Sequence, residues 1–238
     1  MRWWVACTAA LLAACTAPDA HVPPFARMPY EAFSRQAVVA VALREWRLFG
    51  ARTDEEAGDE KAERMPGMWQ RVGEYWWLGL DAGSAESGWT GKHDATGAVF
   101  PPSVDGRFAW SAAFVSYVMR IAGAGARFPY APDHAAYINA ARSGGAWVVT
   151  AEPPESYAPI PGDLVCRGRG RAAGLRFEDL PAGPFPSHCD IVVGPPTDGT
   201  VAVVGGNVTD AVTLRRLPVL ADGRLDRSDP GYLAVLRL

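Results

Sequence analysis

Trp110-Ser111-Ala112-Ala113-Phe114-Val115-Ser116-Tyr117 sets a serine at the opening of an apolar segment, Ser187-His188-Cys189-Asp190 holds a histidine two residues from an aspartate, and Gly205-Gly206-Asn207 follows one strand later. A hydroxyl, an imidazole, a carboxylate and an amide are the parts of acyl transfer: one attacks, one takes the proton, and the others hold the imidazole. Ser111 is therefore the expected nucleophile, His188 the base, Asn207 the orienting residue and Asp190 a supporting carboxylate. A serine gains less than a thiol from the dipole of a helix start, because its hydroxyl is a far weaker acid, so it depends on that base. Asparagine orients an imidazole without neutralising its charge, and replacing a triad carboxylate by Asn costs on the order of ten-thousand-fold in turnover. Hydrolysis thus requires Asp190 or Asp210 to supply a carboxylate. Ser111 has a competing structural role as a helix N-cap, and His188 as a polar strand residue.

The elements that must position these groups are legible in the periodicity. Trp110, Ala113, Phe114, Tyr117, Val118 and Ile121 follow helical spacing, closed by Gly123. Phe33, Ala37, Val38, Val41, Leu48 and Phe49 predict a first helix stopped by Gly50. Trp69, Val72, Tyr75, Trp76 and Leu80 predict a second, whose aromatic face suits a core or a sugar-stacking surface. A short helix is expected from Asp133, as N-cap, through Ala141, with Gly144-Gly145 beyond it. After Pro161-Gly162-Asp163 the pattern turns to strands: Leu164 to Arg167, Cys189 to Gly194, Val201 to Gly205, Ala211 to Arg216 and Tyr232 to Leu236, with turns at Asp198-Gly199 and Asp222-Gly223. Helices followed by an antiparallel sheet define an α+β class. Period-two alternation sets His188 and Asp190 on one face of their strand and Cys189 on the other, so Cys189 cannot replace the serine as nucleophile.

Between these elements, Arg52 to Arg64 reads as exposed loop or short helix, and Asp81 to Gly106 as a long loop of the kind that often binds. His93-Asp94 inside it has no partner at metal-ligand spacing, and nothing else in the chain calls for a metal or cofactor. Arg167-Gly168-Arg169-Gly170-Arg171 forms a basic arm, fit for an acidic polymer or for solvent alone.

The N-terminus carries an export pattern: Arg2, the apolar run Trp3 to Ala14, then Cys15, too short to span a bilayer. Cleavage before Cys15 (signal 1–14) would free its thiol for lipidation, and a tether (15–29) rich in proline would reach at most ~45 Å to a domain over 30–238. An ordinary signal cut after a small residue is the alternative. Loss of Arg2 takes the formal charge of −3 to −4, a balance that argues against nucleic acid as a partner. No second apolar stretch is long enough to cross a membrane. In an exported protein Cys166 and Cys189 can bridge, although two buried thiols also fit their positions.

Leu12-Ala13-Ala14-Cys15 resembles the bacterial lipobox, and Thr16 after it lacks the aspartate that resembles an inner-membrane retention signal, which points to the outer membrane facing the periplasm. Trp110 to Ser116 is similar to the Trp-Cys-Ala-Ala-Phe-Val start of the CHAP helix. Pro161-Gly162-Asp163-Leu164-Val165, His188 with its Val192-Val193-Gly194 tail, and Gly205-Gly206-Asn207 resemble the next blocks of the papain-like CHAP and NlpC-type cell-wall hydrolases, in the same order. The nearest likeness is to the bacterial domain of unknown function 2272, where serine takes the cysteine position and the equivalents of Cys166 and Cys189 recur. The resemblance implies a papain-like α+β domain with nucleophile, base and orienting residue at Ser111, His188 and Asn207. It implies a lipid-anchored, monomeric envelope protein that recognises the peptide of peptidoglycan or an envelope protein, as an amide hydrolase, an inactive binding module, or a structural component.

Overall fold

The structure, a computed structural model, describes residues 32–54, 61–80, 84–228 and 231–238. The expected signal peptide, Cys15 and tether lie outside these residues. Residues Ala32–Leu238 form one unit.

Its helices begin and end where local chemistry dictates. α1 (Arg35–Leu48) starts at Ser34, whose hydroxyl accepts the Ala37 amide at 3.1 Å. Gly50, just past its end, takes φ +86°, a left-handed geometry cheap only without a Cβ. α2 spans Met68–Gly79 and α3 Ser111–Ile121. α4 (His134–Ser143) is capped by the Asp133 carboxylate on the Ala136 amide at 2.9 Å, with Gly144 at φ +76° beyond it. Each expected helix is present within a few residues. The aromatic face of α2 is core: Tyr75, Trp76 and Leu80 are buried, and Trp69 packs on the His93 ring. A Cβ on Gly79 would lie 2.6 Å from the Ala113 carbonyl, so glycine is what lets α2 close on α3.

Among the described residues six strands make one antiparallel sheet in the order β1-β6-β2-β3-β4-β5. β2 (Leu164–Gly168), β3 (Ser187–Val192), β4 (Thr200–Val208), β5 (Ala211–Pro218) and β6 (Tyr232–Arg237) are the five the alternation predicts. β1 (Thr150–Glu152) is the addition, and three residues are too few to carry a period. The chain is therefore α+β, as its pattern implied.

α3 is the central helix. Every residue from Ser111 to Met119 is buried, and the helix lies against β3 and β4. One side of the sheet contributes Leu164, Cys166, Cys189 and Ile191 to the helical core, while Val165, Val192, Val203 and Val235 form a second apolar cluster with Leu225. Cys166 and Cys189 stand directly opposite in the β2–β3 register and are joined by a disulfide, Cα to Cα 4.1 Å. Closing a loop with a sequence separation of 23 contributes about 3 kcal/mol in the chain-entropy account.

Candidate active site

Trp110 holds the N-cap position of α3, and Ser111 is the first helical residue. The first intrahelical bond runs from the Phe114 amide to the Trp110 carbonyl at 2.9 Å, so the amides of Ser111, Ala112 and Ala113 precede it and remain available as donors. The Ser111 hydroxyl does not cap the helix. It lies 2.7 Å from Nε2 of His134, the residue that opens α4.

His134 is the site residue that sequence reasoning missed. Its other ring nitrogen meets the Tyr137 hydroxyl, one turn along the same helix. Two tautomers satisfy both contacts. The one that serves catalysis carries its proton on Nδ1, donates it to Tyr137, and leaves Nε2 to accept from Ser111. Burial, and then His188, push the His134 imidazole well below its ordinary range; Asp190 opposes them and Arg169 adds to them. His134 is thus neutral at physiological pH, as an acceptor must be. Burial raises the Tyr137 phenol, with Asp133 and Asp190 adding to it, so Tyr137 stays protonated.

The signal for His134 was present but faint. Asp133 as N-cap sets His134 in the first turn on the same buried face as Tyr137, Ile138 and Ala141, which puts two polar rings on an apolar stripe.

His188 and Asp190 share a face of β3 as alternation required, with Nε2 of His188 3.0 Å from Asp190. The second Asp190 oxygen accepts from Arg215 on β5. Burial would raise this carboxyl, but His188 and Arg215 outweigh it and hold Asp190 far below the usual carboxylate range. Nδ1 of His188 faces the Arg169 guanidinium at 3.2 Å. Both nitrogens of His188 are therefore engaged, one toward a carboxylate and one toward a cation. The structure joins Ser111 to His134 and not to His188; the two imidazoles lie 5.3 Å apart by ring centroids.

Asn207 sits at an irregularity of β4 with φ +55°, a conformation asparagine tolerates better than most residues. Among the described residues no side-chain hydrogen bond joins it to His188, whose polar partners are Asp190 and Arg169. Asp210 is bound to Lys61 at 2.9 Å, and among the described residues it is not a hydrogen-bond partner of His134 or His188. The glycines before Asn207 have a packing reason. A Cβ on Gly205 would lie 1.9 Å from Asp190 Oδ1, and one on Gly206 2.5 Å from the Phe114 side chain. Glycine at both lets β4 approach the acid and α3 together.

Glu63, in a 3₁₀ turn (Ala62–Arg64), accepts the Trp110 indole N–H beside the nucleophile. Burial, opposed by that hydrogen bond and assisted by Asp210 and Asp105, raises it to about 7. His93 contacts Thr90 and Trp69 and lies in the long loop, apart from the histidine pair. Among the described residues no three His, Cys, Asp or Glu side chains gather as a metal would require.

The network is closed: Ser111 is 6% exposed, His134 4%, His188 2% and Asp190 0%. An apolar groove of about 610 Å³ runs elsewhere, along Arg35, Val39, Leu43 and Ile160.

The family model described as an uncharacterized protein conserved in bacteria, DUF2272, matches residues 63–233. The chain belongs to the DUF2272 family. No curated protein and no solved structure matches it. The matched span of the DUF2272 domain contains Ser111, His134, His188, Asp190 and the disulfide, and it begins at Glu63. Chemically, this domain unites a hydroxyl on a neutral imidazole, amides at the same helix start that precede its first intrahelical bond, and an ionised carboxylate one histidine away.

Proposed function

We propose that this protein is a bacterial cell-envelope lipoprotein whose papain-like domain acts on the peptide of peptidoglycan, cleaving an amide through Ser111. The supporting observation is the 2.7 Å contact between the Ser111 hydroxyl and the buried His134 imidazole at the start of α3. In this reading Ser111 Oγ attacks the amide carbon as its proton passes to His134 Nε2. The amine then leaves with that proton, and water releases the acyl group from the serine. The amides of Ser111 to Ala113 are donors suited to the oxyanion. His188, Asp190 and Arg215 place a carboxylate near the imidazolium that forms. The lipobox-like Leu12 to Cys15 and the order of the motif blocks support the envelope assignment.

One observation favours a second reading, a binding module without turnover: none of the four central groups is more than 6% exposed. Peptidoglycan sacculi incubated with the purified protein, beside Ser111→Ala and Ser111→Cys variants, separate the two. Fragments released by the wild type and lost in Ser111→Ala establish the hydrolase. Equal silence of both, with sacculi still bound, establishes the module. Globomycin-sensitive processing and radiolabelled palmitate incorporation, abolished by Cys15→Ser, test the anchor.

A further inference from the structure

We infer that Arg169 is a specificity residue that grips a free carboxylate on the peptide, an inference that rests on the peptide-directed reading of the same site. Around Asp190 stand two guanidiniums, Arg215 and Arg169, and a histidine. One Asp190 oxygen is taken by His188 and the other by Arg215. Arg169 forms no ion pair with a carboxylate among the described residues; its hydrogen-bond partner there is the imidazole Nδ1 of His188. A guanidinium carries five N–H donors in a planar fork that fits a carboxylate with two parallel bonds, and most of those at Arg169 remain unassigned.

Arg169 is exposed as a residue, with its guanidinium partly buried where it meets His188, while Ser111, His134, His188 and Asp190 are all buried, so it is the member of this chain of contacts nearest to solvent. Its backbone is fixed at the root of the β2–β3 arm, where its amide bonds the Pro186 carbonyl at 3.0 Å, and the Cys166–Cys189 bridge ties the same root. A chain of close neighbours, Arg169 to His188, His188 to His134, and His134 to Ser111, then leads from the guanidinium to the hydroxyl. A carboxylate held at the fork would sit roughly two or three extended residues from Ser111. It would also offset the repulsion that Arg169 exerts on a protonated His134, so the base would strengthen as the substrate arrives.

The ligand class is thus a short peptide with a free carboxylate, in preference to its neutral amide. The test titrates the purified protein with N-acetyl-D-alanyl-D-alanine and with its C-terminal amide, following the arginine side-chain N–H resonances. The expected result is affinity for the acid about tenfold or more above that for the amide. Arg169→Gln should remove the difference, and Arg169→Lys, which keeps the charge without the fork, should keep part of it. Equal binding of acid and amide, a preference untouched by Arg169→Gln, or no saturable binding of the acid would each overturn the inference. Unchanged thermal unfolding of the variants confirms that they fold. Binding is read without turnover, so a silent Ser111 in the sacculus assay refutes hydrolysis without touching this result.

Discussion

Two buried glutamates, Glu45 on α1 and Glu63 beside α3, titrate in opposite directions. Burial opposes ionisation at both. At Glu45 it is overcome by Arg71 and Tyr75, with Arg44 adding, and the carboxyl is held below its ordinary value of 4.5. Arg71 reaches one Glu45 oxygen at 2.6 Å, Tyr75 donates to the same oxygen at 2.8 Å, and Arg44 reaches the other at 2.9 Å. At Glu63 the one side-chain donor among the described residues is the Trp110 indole, and the charged neighbours are Asp105 and Asp210 with Lys61 opposing them. There burial wins, and the group moves to about 7. Depth is equal to within a few per cent; the supply of donors is not. A buried acid becomes a structural tie where its partners are cations, and a proton reservoir where they are other acids.

This contrast can be broken experimentally, and the largest effect is expected at Glu45. Glu45→Ala strands Arg71 and Tyr75 in the interface of α1, α2 and α3 and should cost about 3–5 kcal/mol in denaturant unfolding. A loss below ~1 kcal/mol would mean the cations find water instead.

At Glu63 the sign reverses. Its folded value of about 7 exceeds 4.5, so between those pH values the unfolded chain releases a proton that the folded one retains. Stability therefore falls as pH rises through this window, by roughly 3 kcal/mol in all, and stays lowered above it. Glu45 contributes the opposite slope: its stabilisation is present above pH 4.5 and is lost as pH falls through its lowered value. Glu63→Gln, which can still accept the indole N–H, should flatten the neutral slope and leave the acid one. Unfolding midpoints measured across pH 3 to 9 read both (~0.5-unit steps suffice for such slopes).

Trp110→Phe removes the donor on which the Glu63 carboxylate depends. It should cost about 2 kcal/mol and move the neutral transition upward in pH. A transition left in place would show that the indole does not hold the anion. The smallest change is expected from Lys61→Ala. Lys61 bridges Asp105 and Asp210 at 2.9 Å each but is 36% exposed, so its loss should cost under ~1 kcal/mol while raising the Glu63 transition further.

The candidate site was legible in unequal parts. Ser111 as the opening residue of α3 and the shared face of His188 and Asp190 both follow from periods of 3.6 and 2, which neighbouring residues impose on each other. The β2–β3 pairing that brings Cys166 opposite Cys189 joins two strands that alternation located but whose register it left open. Asn207 carried a motif whose physical content lies in the glycines before it, because β4 must come close to Asp190 and Phe114 at once. His134 escaped because its meaning is a contact across 23 positions, between the first turns of two helices.

Sequence alone determined the helices, the Asp133 cap and the glycine stops, five of the six described strands, and which residues share a face, because those features depend on dihedral preference and burial within a turn or a pleat. Tertiary structure alone decided that Ser111 meets His134, that His188 is spent on Asp190 and Arg169, and that Glu45 and Glu63 part company. Those outcomes depend on which donors packing brings within about 3 Å, and no local period encodes such a distance.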